Sequence, residues 1–374
     1  MIGSDAAAPS DFSGAQRIAR NLEDPCIAMS TTDPRRALIE EWLRDELHCP
    51  SVRLEPASAD ASFRRYFRIW RADGATRIVM DAPPGREDIG PFLRITQLLA
   101  DCDVHVPDVE AADPVRGLVL LEDLGSESLL SRLQGGASPG PLYADALATL
   151  GRIQLRGVAA SASLPPYDRA VLEREMALLP QWFCARHLQF EPEREERELL
   201  TEAFEFLVRE ALAQPIVLVH RDYHSRNLML TAQRSPGVID FQDALAGPVG
   251  YDLVSLLKDC YIAWPRSQVL EWVEAYRQQL RRGGGDGGAD LAQYLRWFDL
   301  VGLQRHIKVL GIFARLWYRD GKRGYIADLP RTLQYVREAA ASFPPLREFS
   351  AWVERRLVPG LAAANARVLN GAGP

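Results

Sequence analysis

Two short apolar runs, residues 216–219 and 237–241, interrupt a half of the chain that is otherwise patterned for helix, and each leads into a polar cluster. The first runs into His220-Arg221-Asp222, with Asn227 five residues beyond the aspartate. The second ends on Asp240, thirteen residues after Asn227, and continues into Phe241-Gln242-Asp243. Asp and Asn are common in turns, so either cluster alone reads as a capped strand end. The pair at this spacing is far more specific, and a fold for this chain has to bring both strand ends together.

The first third of the chain reads differently. From Asp33 a helix is signalled by an Asp N-cap, Pro34 at the first helical position, and apolar Leu38, Ile39, Trp42, Leu43 and Leu47 at helical spacing. β-like runs follow at 52–55, 63–70 and 77–80, then a helix at 91–100 and a further run at 115–121. Asp73-Gly74 has the chemistry of a tight hairpin turn, so adjacent antiparallel strands are expected. After Gly125 helical periodicity takes over at 142–155, 171–188 and 199–212, and again at 252–262, 269–280, 291–316 and 329–341. The glycine-rich stretch 283–288 is expected to be a mobile loop between two helices.

The expected class is therefore α+β in two lobes: a small antiparallel-sheet lobe over 33–121 and a larger helical lobe over 122–374. Residues 1–32, rich in Ala, Ser, Asp and Gly without a sustained period, are expected to form a disordered leader, and Met29 is a candidate initiator.

At 374 residues, 47% of them hydrophobic, the chain can fill two or three domain-sized cores. A net charge of −6 argues against a dedicated nucleic-acid binder, so any phosphate it handles must meet local positive charge. No run of eighteen apolar residues and no signal-peptide pattern is present, and five scattered cysteines without a C-x-x-C pair support neither disulfides nor zinc. A reducing cytoplasm is expected, with no membrane, nucleic-acid or obligate protein partner.

Phosphoryl transfer needs a carboxylate beside the attacking hydroxyl, to orient it and accept its proton, and oxygen ligands for the magnesium that neutralises nucleotide phosphates. Asp222 suits the first role, Asn227 and Asp240 the second. His220 reads as a packing and hydrogen-bonding scaffold residue rather than the base.

His220-Arg221-Asp222 with Asn227 fits the catalytic-loop pattern H-R-D-x-x-x-x-N. Over roughly residues 33–345 the chain resembles the aminoglycoside phosphotransferase and choline kinase branch of the protein-kinase-like superfamily. Within that branch, segments 56–68, 79–84, 220–227 and 251–261 resemble the bacterial anomeric kinases that act on N-acetylmuramate and N-acetylglucosamine in cell-wall recycling. The resemblance implies a two-lobed protein-kinase-like fold, ATP and Mg2+, an amino sugar as acceptor, and a sugar 1-phosphate product. It carries the base onto Asp222, the metal ligands onto Asn227 and Asp240, and a loop-bracing carboxylate onto Asp252, which is also well placed as a helix N-cap. It carries the adenine-contacting hinge onto the backbone near Glu122 and Leu124.

The chain departs from protein kinases in lacking both the G-x-G-x-x-G loop and the strand-three lysine, whose position falls on Met80. The small residues of 57–63, with the hydroxyls of Ser58 and Ser62, are expected near phosphate. Of Arg64, Arg65, Arg68 and Arg77, which cannot all face inward from short strands, Arg65 is the expected substitute cation. These departures keep a rival of another class open, a nucleotide-binding pseudokinase scaffold. A second rival, an aminoglycoside or amino-alcohol kinase, calls for an acidic acceptor cleft.

Near residue 305 the acceptor side is instead basic. Leu300, Leu303, Ile307, Leu310, Ala314 and Trp317 mark one apolar helix face, leaving Gln304, Arg305 and Lys308 off it. Such a patch is ordinarily a solvated face. Lining a cleft, Arg305 and Lys308 would suit the lactyl carboxylate of N-acetylmuramate. His224, Arg226, Asp243 and Asp259 complete the acceptor-site candidates.

Overall fold

The computed structural model describes residues 33–48, 53–59, 63–371 and 373. The leader, Met29 and Ser62 lie outside them, as does the side chain of Ser58. The chain divides into two contact units, Met1–Val52 and Arg53–Pro374. In the first, α1 (Pro34–Glu41) begins as expected: Asp33 Oδ1 accepts a hydrogen bond from the Arg35 N–H at 3.0 Å, and Pro34 needs no partner at the first turn. A wider π-type turn, Trp42–Glu46, continues it.

The second unit opens on an antiparallel sheet of β1 (Arg53–Ala59), β2 (Arg65–Trp70), β3 (Thr76–Asp81), β4 (Val109–Asp113) and β5 (Leu118–Glu122), in spatial order β1-β2-β3-β5-β4. The Asp73-Gly74 turn joins β2 to β3 as expected, with Gly74 at φ +83° and Asp73 Oδ1 accepting the Ala75 N–H. Helix α2 (Gly90–Asp101) lays Phe92, Ile95 and Leu99 against Met80, Val119 and Leu121 of the sheet. β5 starts later than the apolar run because Val115 is 86% exposed in a turn closed at Gly117. At φ +69° Gly117 lies so close to β3 that an added Cβ would meet Ala82 O at 2.0 Å. β4 gave no apolar signal because it is a short edge strand with alternating exposed positions.

The helical lobe contains α3 (Leu129–Gln134), α4 (Pro139–Arg156), the short α5 (Val158–Ser161), α6 (Arg169–Met176) and α7 (Arg194–Leu212). The continuous helix expected at 171–188 is instead α6 followed by a π-type segment, Leu179–Leu188. Pro180 has no N–H for the ladder and forces the register to widen. β6 (Ile216–Val219) pairs with β9 (Leu245–Pro248), and between them β7 (Leu228–Met229) pairs with β8 (Gly237–Val238). Helices α8 (Tyr251–Leu257), α9 (Arg266–Arg282) and α10 (Leu291–Tyr318) follow, then α11 (Leu329–Ala341), α12 (Arg347–Trp352) and α13 (Val358–Leu369). α8 stops before the expected residue 262 because Asp259 Oδ1 captures the Tyr261 N–H at 2.8 Å. The 28 residues of α10 extend about 42 Å at 1.5 Å per residue, and most of them are buried. No described helix is long and apolar enough to cross a membrane.

Candidate active site

The two small hairpins deliver the polar clusters to one place. Asp252, fully buried at the start of α8, accepts the N–H of His220 at 2.7 Å and of Arg221 at 3.0 Å. That clamp holds Arg221 at φ +79°, a conformation strained for a residue other than glycine, and turns Asp222 outward. His220 Nε2 lies 3.1 Å from Ile239 O and its Nδ1 accepts the Asp222 N–H at 3.2 Å, so the ring joins the two strand ends as a neutral Nε2–H tautomer. Burial drives its pKa down to about 4, which suits a scaffold and not a base. Asp240 stands at φ +66°, and Phe241 behind it stacks on Phe92 of α2 at 5.1 Å, anchoring the carboxylate to the sheet lobe.

Asn227 Nδ2 donates to Asp222 O at 3.0 Å and to Asp240 Oδ2 at 3.2 Å; Gln242 Nε2 donates to Asp240 Oδ1 at 2.9 Å. An amide and a carboxylate thus lie side by side, a hard-oxygen donor set that fits magnesium, which takes one or two protein ligands and completes its shell with phosphates and water. Among the described residues no cluster of three or more His, Cys, Asp or Glu offers an all-protein metal cage.

The Asp222 carboxylate makes no hydrogen bond to a described residue and opens on a cleft of about 810 Å³ between the sheet and the helical lobe. Burial opposes its charge, but Lys308, His224, Arg305 and Arg221 outweigh that and hold its pKa below the usual carboxylate value. It is therefore ionised at neutral pH.

Under this loop lies a network that the sequence did not announce. Glu175 of α6 accepts from Arg221 at 2.7 Å and pairs with Lys308 at 2.9 Å; the Tyr167 hydroxyl and Gln304 donate to its second oxygen. Burial works against its charge, yet Lys308 and Arg221 bring its pKa below the ordinary glutamate value. Its signal was a charged residue placed between Leu172 and Met176 on the buried face of α6.

The remaining candidates separate clearly. Arg305 and Lys308 are buried on the cleft side of α10, so the solvated-face expectation does not hold. Their bonds run inward: Arg305 to Ser255 Oγ at 2.8 Å and Cys260 Sγ, Lys308 to Glu175 and Tyr251. Asp259 is fully buried, bracing the N–H and hydroxyl of Ser225 and the N–H of Tyr261, and lies outside the cleft lining. His224, Arg226 and Asp243 do line it.

On the sheet side Arg65 faces away from the cleft, bonded to the buried Asp81 at 2.6 Å, whereas Tyr66 and Arg68 face in. Strand alternation thus places Arg68, and not Arg65, on the cleft, where it forks onto Asp123 at 2.6 and 2.9 Å; Arg64 lines the cleft as well. Met80, at the lysine position, packs in the core with α2. Glu122 and Leu124 line the cleft, and the main-chain groups of Asp123 and Leu124 make no hydrogen bond to a described residue, as an adenine-reading hinge requires.

Comparison with known proteins agrees with this geometry. Residues 53–294 match the phosphotransferase enzyme family. N-acetylmuramate/N-acetylglucosamine kinases are similar along most of the chain. The Pseudomonas aeruginosa protein is 46% identical over 80% of this chain and 87% of its own. The Pseudomonas putida protein is 42% identical over 86% and 96%.

Among solved structures, the fold is shared with a Plasmodium vivax ethanolamine kinase at TM-score 0.57, 12% identity, and 83% and 88% coverage. It is shared as well with the ADP-bound aminoglycoside phosphotransferase APH(2'')-Ib at TM-score 0.54, 16% identity, and 81% and 98% coverage. With an ionised carboxylate on a two-lobed cleft and a match across most of both lobes, the chain belongs to the phosphotransferase enzyme family, with the two-lobed kinase-like fold of that group.

Proposed function

We propose that this phosphotransferase moves the γ-phosphoryl group of ATP onto the anomeric hydroxyl of N-acetylmuramate and N-acetylglucosamine, giving the sugar 1-phosphates, in a cytoplasmic route that recycles cell-wall sugars. The observation that carries the reading is the unpaired, ionised Asp222 beside Asn227 and Asp240. The kinases similar along most of the chain support the choice of acceptor. The lobes divide as 33–121 for the nucleotide and 122–374 for the acceptor.

The adenine edge meets the backbone near Leu124 and the phosphates lie toward Arg68 and Asn227. Asp222 orients the acceptor hydroxyl and takes its proton as the new oxygen–phosphorus bond forms and the bond to the ADP leaving oxygen breaks. Asn227 and Asp240 would hold Mg2+, which when bound neutralises charge on the transferred group. The ring oxygen makes an anomeric hydroxyl more acidic than other sugar alcohols, so one carboxylate suffices as proton acceptor. The cations of the cleft's helical wall disfavour a polycationic aminoglycoside.

Phosphorus NMR of the product tests this: coupling to the anomeric proton is expected, and coupling to two methylene protons, as in a 6-phosphate, would overturn it. A methyl glycoside phosphorylated as fast as the free sugar would also end the anomeric reading. Absence of turnover with either sugar would raise the pseudokinase alternative.

A further inference from the structure

Arg226 lies on the rim of the cleft, one residue before the metal-ligand candidate Asn227, and its guanidinium is held by aromatic faces rather than by a carboxylate. It stacks 4.0 Å over the ring of Tyr261 and 5.7 Å from that of Tyr325. Phe313 of α10 closes the group, 6.1 Å from Tyr261 and 5.2 Å from Tyr325. Among the described residues Arg226 has no ion pair and no side-chain hydrogen bond. Stacking fixes the plane of a guanidinium while leaving its N–H edge open, and that edge matches a carboxylate bidentately.

A second cation on the same cleft also has no ion pair among the described residues, although Asp328 lies within electrostatic reach of Arg226 and Asp320 of Arg315. Arg315 of α10 is half-buried, its Nε has no partner, and it makes no side-chain hydrogen bond to a described residue. It lies two turns beyond Lys308, about 10 Å along the helix. Arg226 is exposed, so its open N–H edge is served by water until something replaces it, whereas a half-buried Arg315 whose Nε meets no described partner is costly to leave so; together on one cleft they offer a site for an anion that arrives with a ligand. Lys308 has Glu175, and Arg305, whose Nε also meets no described partner, differs from Arg315 in having both NH groups tied inward to Cys260 and Ser255.

We propose that Arg226, with Arg315 as a second cation, is the receptor for a carboxylate carried by the acceptor, and that it sets the preference for an acidic over a neutral amino sugar. The inference rests on the acceptor reading above and assigns the lactyl carboxylate of N-acetylmuramate to this wall. Phosphate recognition by Arg226 is the competing role, and it would be indifferent to the sugar.

The test compares N-acetylmuramate with its lactyl carboxamide and with N-acetylglucosamine, in the wild type and in Arg226→Gln, Arg226→Lys and Arg315→Gln. In the wild type kcat/KM should favour the acid over the amide by about 10–100-fold, the scale of a charge-assisted bidentate pair. Arg226→Gln should collapse that ratio toward one, chiefly through KM; Arg226→Lys should restore part of it; Arg315→Gln should reduce it less. An unchanged acid-to-amide ratio in Arg226→Gln, or an equal loss on all three sugars, would overturn the proposal. Calorimetric binding of acid and amide, in the presence of an unreactive ATP analogue, separates this failure from that of the acceptor reading. If neither sugar turns over but the acid binds more tightly through Arg226, the receptor stands and the activity falls. If acid and amide bind alike, the receptor falls.

Discussion

Two segments of α10, an inner one from Gln304 to Lys308 and an outer one from Ile312 to Tyr318, face one cleft and carry cations in both, but they hold that charge differently. Inside, Lys308 and Arg305 are buried and tied to Glu175, Tyr251 and Ser255. Outside, Arg315 makes no side-chain hydrogen bond or ion pair to a described residue, and Arg226 opposite rests on tyrosine rings. A cation paired within the protein shapes the field around the reacting groups, whereas one held only by aromatic faces is ready for something from solution. The inner set thus acts on the charge of Asp222, and the outer set is the one we propose for recognition.

The comparison is most exposed at Asp222 itself. If the inner cations exist to keep that carboxylate ionised and available, Asp222→Asn should reduce turnover by about 10²–10⁴-fold while nucleotide binding, followed by calorimetry, stays near that of the wild type. Near-native turnover would mean that another group takes the proton.

Glu175 sharpens the inner half. Glu175→Gln leaves Lys308 and Arg221 facing a neutral group in a buried site, and breaking such a network costs about 3 kcal/mol or more, measurable as a loss of denaturant midpoint. The pH dependence has a definite sign. The folded pKa of Glu175 lies below the unfolded value of about 4.3. Its stabilisation is complete above that value and is lost as pH falls through the folded value. The Gln variant should be less stable at neutral pH and show a shallower decline on the acid side. A variant as stable as the wild type at pH 7 would remove Glu175 from the supporting network.

What the sequence disclosed follows the range of the interactions involved. Asp222, Asn227 and Asp240 were readable because a loop of fixed length between two short strands constrains residue type at fixed spacing. Asp252 was picked out through the family resemblance; the N-cap place that its own neighbourhood suggested belongs instead to Gly250, and Asp252 lies in the first turn. Glu175 was not readable, since its partners Arg221 and Lys308 lie 46 and 133 residues away by sequence number and meet it only through packing. The lobes and most elements were legible from periodicity. The break after α6 could have been read at Pro180, but α12 and α13 followed no spacing that had been singled out.

The strand-borne arginines give the smallest and most local test, because β2 places neighbouring cations on opposite faces. Arg65 covers the fully buried Asp81, and Arg68 reaches Asp123 at the mouth of the nucleotide side. Arg65→Ala should therefore act on stability, by about 1–2 kcal/mol, since it removes two hydrogen bonds to a buried carboxylate, with the KM for ATP little changed. Arg68→Ala should cost stability as well, because the side chain of Asp123 is only 4% exposed, and should in addition raise the KM for ATP about 3–10-fold, on the order of 1 kcal/mol. The KM for ATP separates the two variants only if strand alternation decides which arginine meets the nucleotide. Should Arg65→Ala raise the KM and Arg68→Ala leave it unchanged, the cation substituting for the missing lysine would be the one facing away in this structure, and β2 would have to shift its register by one residue when nucleotide binds.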